Sequence, residues 1–298
     1  MGRVRRSLSI VKATALEMLS EPLSLLILLA ALVIVVFAPA FHYHQFGEAT
    51  RMARDAGFSA LLICGGAVAV FGTIRTFRRE IESRTCEMAL AHPVSRQSFF
   101  LMKGIGAFAA YLIFATIVFC VSATIVEGAA VGGQIAKATG GLARLWGPCF
   151  AVGICVMVLP LVVGATLNRF AGCRFVLSFF AVSAALALAA GLWMVCRDPS
   201  LVLRMLPVSL LIVFLTLVLL FAAAAFAVRL RANAAAAGVG VVVALLVPAI
   251  GNYYMSDALA GGGAVGWTYV GLAAAATLPL ALFFLLIGFN FANGRDMT

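Results

Sequence analysis

Long apolar runs constrain the fold of this chain more than any other feature of its sequence. About eight runs, each near the ~20 residues that a helix needs to cross a bilayer, lie at 22–41, 57–77, 102–126, 147–167, 174–196, 205–228, 235–254 and 267–290. Lipid offers no partner to unpaired backbone N–H and C=O groups, and the runs lack strand-like alternation. We therefore predict an all-α fold, a polytopic transmembrane helix bundle with about eight spans.

The overall composition supports this class. Hydrophobic residues make up 64% of the chain and charged residues 11%, whereas soluble domains carry about 25% charged residues. The seventh run is the weakest, because it is short, rich in glycine and interrupted by Pro248. The alternative is a protein with six or seven spans in which this seventh run is a re-entrant segment. No predicted loop is long enough to fold independently, so we predict a single transmembrane domain over 1–298.

The positive charges are distributed unevenly between the predicted loops. With the N-terminus inside, fifteen of the 21 Lys and Arg residues fall on the inner side. This bias follows the positive-inside rule and predicts cytoplasmic N- and C-termini in the cell inner (plasma) membrane. We therefore interpret the net charge of +10 as a result of membrane orientation and of contact with anionic membrane lipids. No basic surface interleaved with aromatic residues is visible, so we expect no nucleic-acid partner.

A basic, mixed segment, 1–21, precedes the first run. Leu8, Val11, Ala15 and Met18 are spaced to make one apolar helical face. We predict a cytoplasmic interfacial helix whose basic side faces anionic headgroups. The alternative is a signal peptide cleaved at the small residues that end the first run. The length of that run, which suffices to span, favours a membrane helix.

One stretch, 75–103, is dense in charge and cannot lie in lipid. Its charged residues are Arg75, Arg78, Arg79, Glu80, Glu82, Arg84, Glu87, Arg96 and Lys103. Between 78 and 91 no Gly or Pro occurs, and Ile81, Thr85 and Met88 recur at helical spacing on one face. We predict a short amphipathic helix there. An ordinary solvated cytoplasmic loop is the alternative.

A Pro-Val-Ser corner follows this predicted helix. Pro93 ends the helix, because the residue before a proline is pushed out of the α region. Ser95 is the predicted N-cap of the next helix. Val94 and Phe99 occupy the two positions of a hydrophobic staple around that cap. The sequence thus predicts a helix, a sharp corner and a second helix that enters the membrane.

These residues resemble the loop after the second span in permeases, the membrane subunits of ABC type-2 transporters. In that family the loop reads Arg-Glu-x-Glu-x-x-Thr, then a leucine pair, then Pro-Val-Ser-Arg and last Gly-Lys. The matching residues are Arg79, Glu80, Glu82, Thr85, Pro93, Val94, Ser95, Arg96 and Lys103. The sequence departs from the pattern at Ala89-Leu90, where leucines are usual, at His92, and at Met102, where glycine is common.

The resemblance implies that 75–103 is a coupling element that contacts a separate cytoplasmic ATP-binding subunit. The residues expected at this contact are Arg79, Glu80, Ile81, Glu82, Arg84, Thr85, Met88, Pro93, Val94, Ser95, Arg96 and Lys103. The resemblance also implies a second permease copy, in a homodimer or a heterodimer. ATP and Mg would then be bound by the partner subunit, and we expect no cofactor in this chain.

The absence of ATPase and proton-carrying motifs from the sequence agrees with transport that is powered from outside this chain. No lysine follows a glycine, so the P-loop motif does not occur and the chain is not its own P-loop ATPase. No Asp, Glu, Lys or His lies near the middle of a predicted span. Proton-driven carriers usually need such a group. We therefore expect the energy for transport to come from outside the membrane domain.

The histidines and cysteines are candidate ligands of haem or a metal ion. His42 and His44 flank Tyr43 after the first span, and such a pair can bind haem or copper. An interfacial aromatic belt is the simpler interpretation. The seven cysteines form no Cys-x-x-Cys, so we expect neither a disulfide framework nor a metal site.

The sequence therefore predicts the membrane-spanning permease of an ABC transporter, an exporter of an unidentified substrate, and not an enzyme. One alternative is a membrane anchor or a metal- or haem-binding membrane subunit, which predicts a bound metal or chromophore. The other is a structural scaffold, for which the motif in 75–103 is a coincidence.

Overall fold

The computed structural model describes residues 2–40, 49–82, 95–139, 147–230, 232–250 and 266–294. Within these ranges the chain is helical and contains no strand, which confirms the predicted all-α class. The α-helices are α1 (Gly2–Leu19), α2 (Pro22–Phe37), α3 (Ala49–Glu82), α4 (Arg96–Thr139), α5 (Gly147–Ala171), α6 (Phe175–Arg197), α7 (Pro199–Arg229), α8 (Ala232–Ile250) and α9 (Trp267–Gly294). A 3₁₀ turn, Ala38–Ala40, follows α2.

Six of these helices are long and apolar enough to cross a bilayer: α3, α4, α5, α6, α7 and α9. A seventh span results if α1 and α2, which are bent at a short break, are counted as one. Helix α2 has 16 residues, and the described side chains of α8 form a shorter apolar stretch, Ala234–Val243. The chain is therefore a multi-pass helical membrane protein by length and composition, and the eight-span count stays a prediction.

The described residues form two compact units. The first contains Met1–Glu21, Gly66–Leu112 and Val213–Thr298, and the second contains Pro22–Gly65 and Ile113–Ile212.

Three of the apolar helices tolerate an internal proline: Pro160 in α5, Pro207 in α7 and Pro279 in α9. Membrane helices accept such residues because neighbouring groups satisfy the freed carbonyls.

Aromatic residues and alanines make the core of the first unit. Phe100 of α4 is 2% exposed, and its ring centroid lies 5.3 Å from that of Phe77 on α3 and 5.8 Å from that of Phe289 on α9. Helix α7 packs against them with buried small residues such as Ala223 and Ala227. Burial of these rings joins α3, α4, α7 and α9.

Two glycines let α1 approach closely within the first unit. A Cβ on Gly72 of α3 would lie 2.6 Å from Met18 Cε, and a Cβ on Gly106 of α4 would lie 2.7 Å from the Val11 carbonyl oxygen. The predicted helix over the N-terminal segment is thus present, and Met18 at the end of its apolar face packs on α3. Its location at the membrane surface stays a prediction.

The second unit is built on α2, parts of α3, α4 and α7, and the hairpin of α5 and α6. Gly153 of α5 fits between Val36 and Ile125, where a Cβ would approach both side chains to 3.0 Å. The hairpin closes through Gly172, whose φ of 63° lies in the left-handed region that favours glycine. Away from the turn, Glu127 of α4 accepts a hydrogen bond of 3.3 Å from Arg197 Nε.

Candidate functional site

The structure describes both ends of the charged stretch, 75–82 and 95–103, as parts of long helices. Residues 75–82 are the last two turns of α3, so 78–82, the described part of the predicted amphipathic helix, continues the second span. No Gly or Pro lies between Gly72 and Glu82, and backbone hydrogen bonding continues regardless of side-chain polarity. Residues 83–94, including Arg84, Thr85, Met88, Pro93 and Val94, lie outside the described residues.

Ser95 caps α4 as the sequence predicts. Its Oγ accepts a hydrogen bond of 3.2 Å from the backbone N–H of Ser98, the third residue of the helix. The two serine hydroxyls are 2.7 Å apart. This arrangement satisfies donors that the first turn leaves unpaired. The partner of Phe99 in the predicted staple, Val94, is not among the described residues.

Lys103 is the most buried charged residue of the site, with an exposed fraction of 1%. Its Nζ donates a hydrogen bond of 2.8 Å to the carbonyl oxygen of Thr76. The same Nζ lies 2.5 Å from Oε2 of Glu80. It also stands over the Phe77 ring at 5.0 Å and the Phe99 ring at 5.9 Å. A buried ammonium is tolerated when paired and hydrogen-bonded, and these partners meet that condition.

The lysine therefore joins the two helices that flank 83–94. Lys103 lies in the second turn of α4, whereas Thr76, Phe77 and Glu80 lie in the last two turns of α3. Both Glu80 and Lys103 belong to the residues that carry the family resemblance. The structure gives them a contact within the chain, and their contact with a partner stays a prediction.

A second set of ion pairs joins α1 to the same end of α3. Glu21 lies 3.1 Å from Arg75 and 3.8 Å from Arg79, and Glu17 lies 3.6 Å from Arg79. Sequence reasoning missed these pairs. Glu17 and Glu21 are four residues apart in the sequence, as are Arg75 and Arg79, and this matched spacing was the available signal.

The end of α7 is attached to α3 as well. Arg78 Nη1 donates a hydrogen bond of 3.2 Å to the carbonyl oxygen of Leu230, just after the last residue of α7. Helix C-termini leave carbonyl groups unpaired and carry partial negative charge, so a guanidinium is a favourable partner there. Arg229 lies 5.9 Å from the centroid of the Phe291 ring on α9.

We name this set of contacts the polar base: Glu17, Glu21, Arg75, Thr76, Arg78, Arg79, Glu80, Lys103 and Leu230. All of these residues belong to the first unit. Ser95 and Arg96 are exposed at the start of α4, and Ile81 is half-buried at the end of α3. The polar base thus joins the ends of α1, α3 and α7 to the start of α4.

The described residues contain no group of three or more His, Cys, Asp or Glu side chains that could hold a metal ion. His42, His44 and His92 lie outside those residues. Compared with protein-family models, curated proteins and solved structures, the chain shows no significant match. The fold defines the class, a multi-pass helical membrane protein, and the polar base is its candidate functional site.

Proposed function

We propose that this chain is the permease of an ABC transporter, an exporter whose segment 75–103 receives conformational energy from a separate ATP-binding subunit. The observation that carries the proposal is the contact of Lys103 with Glu80 and the Thr76 carbonyl. It joins both flanks of the segment expected to touch the partner.

The physical argument concerns how a displacement is transmitted. If the two helices at the ends of a loop are not in contact, each helix can move separately. A displacement of the loop then changes the loop and is not transmitted to both helices. Here a buried charged contact holds the second turn of α4 to the end of α3. Helix α3 has 34 residues and α4 has 44, and both are candidate membrane spans. Movement of 83–94 would therefore shift two long helices together.

The remaining contacts of the polar base extend this argument to α1 and α7. Their ends are attached to Arg75, Arg79 and Arg78 on the last turns of α3. A partner that binds 83–94 would act on four helix ends of the first unit. The absence of a P-loop motif from the sequence agrees with a partner that hydrolyses ATP. A second permease copy is part of the proposal.

The test separates partner contact from internal structure. Glu82→Ala combined with Arg84→Ala changes two charged residues of the segment and leaves Lys103 and Glu80 intact. The tagged chain is purified from its native membranes with its associated subunits, and ATP hydrolysis is measured with and without those subunits. We expect no hydrolysis by the chain alone, and hydrolysis in the complex that the double variant weakens or uncouples from transport.

The matched control is Arg51→Ala with Arg54→Ala, which changes two charged residues at the other end of α3. This control should leave partner retention and ATP hydrolysis unchanged. A charged contact buried at an interface typically costs about 2–5 kcal/mol of binding when one partner is truncated, while exposed pairs cost about 0–1 kcal/mol. Equal behaviour of the two double variants, or ATP hydrolysis by the chain alone, contradicts the proposal.

A further inference from the structure

The turn between α5 and α6 is a surface that the proposed function does not use. Ten consecutive residues, 165–174, are exposed. Phe170 has an exposed fraction of 85%, the highest among the large apolar residues that the structure describes, and Leu167 is 38% exposed. A phenylalanine so far out of the core gains little from folding, and it is available to an apolar phase outside the chain.

The turn carries positive charge without compensation. Arg169 and Arg174 flank Phe170, and the sequence has no Asp or Glu between Glu127 and Asp198. Among the described residues neither guanidinium forms an ion pair with an acid. Two guanidiniums bind an anion, and the aromatic ring beside them favours an apolar phase. A ligand that offers both is an anionic group at the edge of an apolar phase.

The backbone of the turn is held in one shape. Gly172 adopts a φ of 63°. Ser178 Oγ donates a hydrogen bond of 3.2 Å to the Arg174 carbonyl oxygen. A Cβ on Gly164 would lie 3.3 Å from the Phe175 ring, so α5 and α6 pack closely beside the turn. The two arginines and the phenylalanine therefore lie at the closed end of the α5–α6 hairpin.

The lengths of the two helices place the turn at headgroup depth. With 25 and 23 residues, α5 and α6 are roughly 37 and 34 Å long, against a hydrocarbon thickness of about 30 Å. The end of the hairpin thus reaches the layer where phosphate groups lie. The positive-inside count predicts the cytoplasmic side, whose leaflet carries anionic lipid.

We propose that residues 165–174 form a binding surface for anionic phospholipid headgroups. Arg169 and Arg174 contact the phosphates, and Phe170 inserts beside the first methylene groups of the acyl chains, next to the headgroups. The inference is independent of the transport function, because it uses residues that have no part in the polar base. A protein partner that covers the same turn is the competing occupant, and the experiment distinguishes the two.

A tryptophan at position 170 reports the environment of the turn. Phe170→Trp is made in a background in which Trp146, Trp193 and Trp267 are phenylalanine. The purified chain is reconstituted in vesicles of phosphatidylcholine, with or without phosphatidylglycerol. In one set of vesicles the phosphatidylcholine is brominated, and in the other set the phosphatidylglycerol is brominated. We expect stronger quenching by brominated phosphatidylglycerol than by brominated phosphatidylcholine at equal mole fraction. Two cations in full contact give a roughly thirtyfold preference, about fivefold for each.

Arg169→Gln with Arg174→Gln should reduce this preference to near unity. The matched control is Arg51→Gln with Arg54→Gln, which changes two arginines that already lie 3.9 and 3.8 Å from Asp55 and should preserve the preference. Circular dichroism and a single elution peak confirm that each variant folds. Unquenched, water-like emission overturns the proposal and leaves the turn to a protein partner. Equal quenching by the two lipids overturns it as well, because the arginines then recognise nothing.

Discussion

Nζ of Lys103 lies 2.8 Å from the carbonyl oxygen of Thr76, a residue 27 positions earlier in the chain. With the Glu80 carboxylate as the second partner, this contact attaches the start of α4 to the end of α3. The contact joins two residues on either side of the segment 83–94 in the sequence.

The first prediction concerns the asymmetry of the Lys103–Glu80 pair. Glu80→Gln removes the carboxylate nearest to an ammonium that is 1% exposed, whereas Lys103→Met leaves a carboxylate that is 27% exposed. Breaking a buried pair costs roughly 3–5 kcal/mol. We expect Glu80→Gln to lower the free energy of unfolding by about 3 kcal/mol and Lys103→Met to lower it by less. Denaturant unfolding in detergent measures both.

The double variant of this pair completes the cycle. Its cost should be smaller than the sum of the two single costs, because neither charge is then left alone. Asp55→Asn, which removes a pair that is 45% exposed on both sides, should cost about 0–1 kcal/mol. Additive single costs would show that Lys103 and Glu80 act independently.

The second prediction compares the two glycines beneath α1. In Gly106→Ala the new Cβ meets the Val11 carbonyl oxygen, which is backbone and cannot move aside. In Gly72→Ala it meets the end of the flexible Met18 side chain. We expect Gly106→Ala to cost about 1–3 kcal/mol and Gly72→Ala to cost clearly less. Gly66→Ala, with nothing within 4 Å, is the control and should stabilise α3 by roughly 0.5–1 kcal/mol.

The third prediction concerns Asp198, the residue before α7. Its Oδ1 accepts hydrogen bonds from the Ser200 hydroxyl and from the backbone N–H groups of Ser200 and Leu201. These bonds, led by that of the Ser200 hydroxyl, lower the pKa of Asp198 below its ordinary value. A lowered pKa in the folded state means that the stabilisation is present above the ordinary pKa and is lost as the pH falls through the folded value.

We therefore expect Asp198→Ala to reduce stability by about 1 kcal/mol near neutral pH and to match the wild type progressively as the pH falls below about 4. Asp198→Asn keeps a capping oxygen and should show a smaller loss with a weaker pH dependence. Thermal unfolding in detergent across this pH range gives the comparison. A constant difference between wild type and Asp198→Ala at every pH would exclude the ionised carboxylate as the cap.

The fourth prediction concerns topology. Cys173 and Cys196 are both exposed and lie at opposite ends of α6. The charge distribution puts Cys196 outside and Cys173 inside. In variants that retain one of these cysteines alone, a membrane-impermeant maleimide added to intact spheroplasts should label Cys196 and spare Cys173 until the membrane is opened. The reverse pattern would invert the orientation, and with it the cytoplasmic assignment of 75–103.

The sequence alone determined the features that depend on short windows of residues. The apolar runs predicted helices, and six of them are long and apolar enough to span. The cap at Ser95 was predicted because capping is decided within four residues of the chain. The described part of the predicted amphipathic helix, 78–82, is helical and continuous with the second span, since charge alone does not interrupt a helix that has no Gly or Pro.

The tertiary structure alone decided which faces of the helices meet. Helices that are apolar on nearly every side carry little periodic signal about their neighbours, so the burial of Lys103 and its contacts with Thr76 and Glu80 could not be predicted from spacing. The pairs of Glu17 and Glu21 with arginines of α3 likewise depend on how close α1 comes to Gly72 and Gly106. Such contacts join residues far apart in sequence, and only packing brings them within the few ångströms over which ion pairs and hydrogen bonds act.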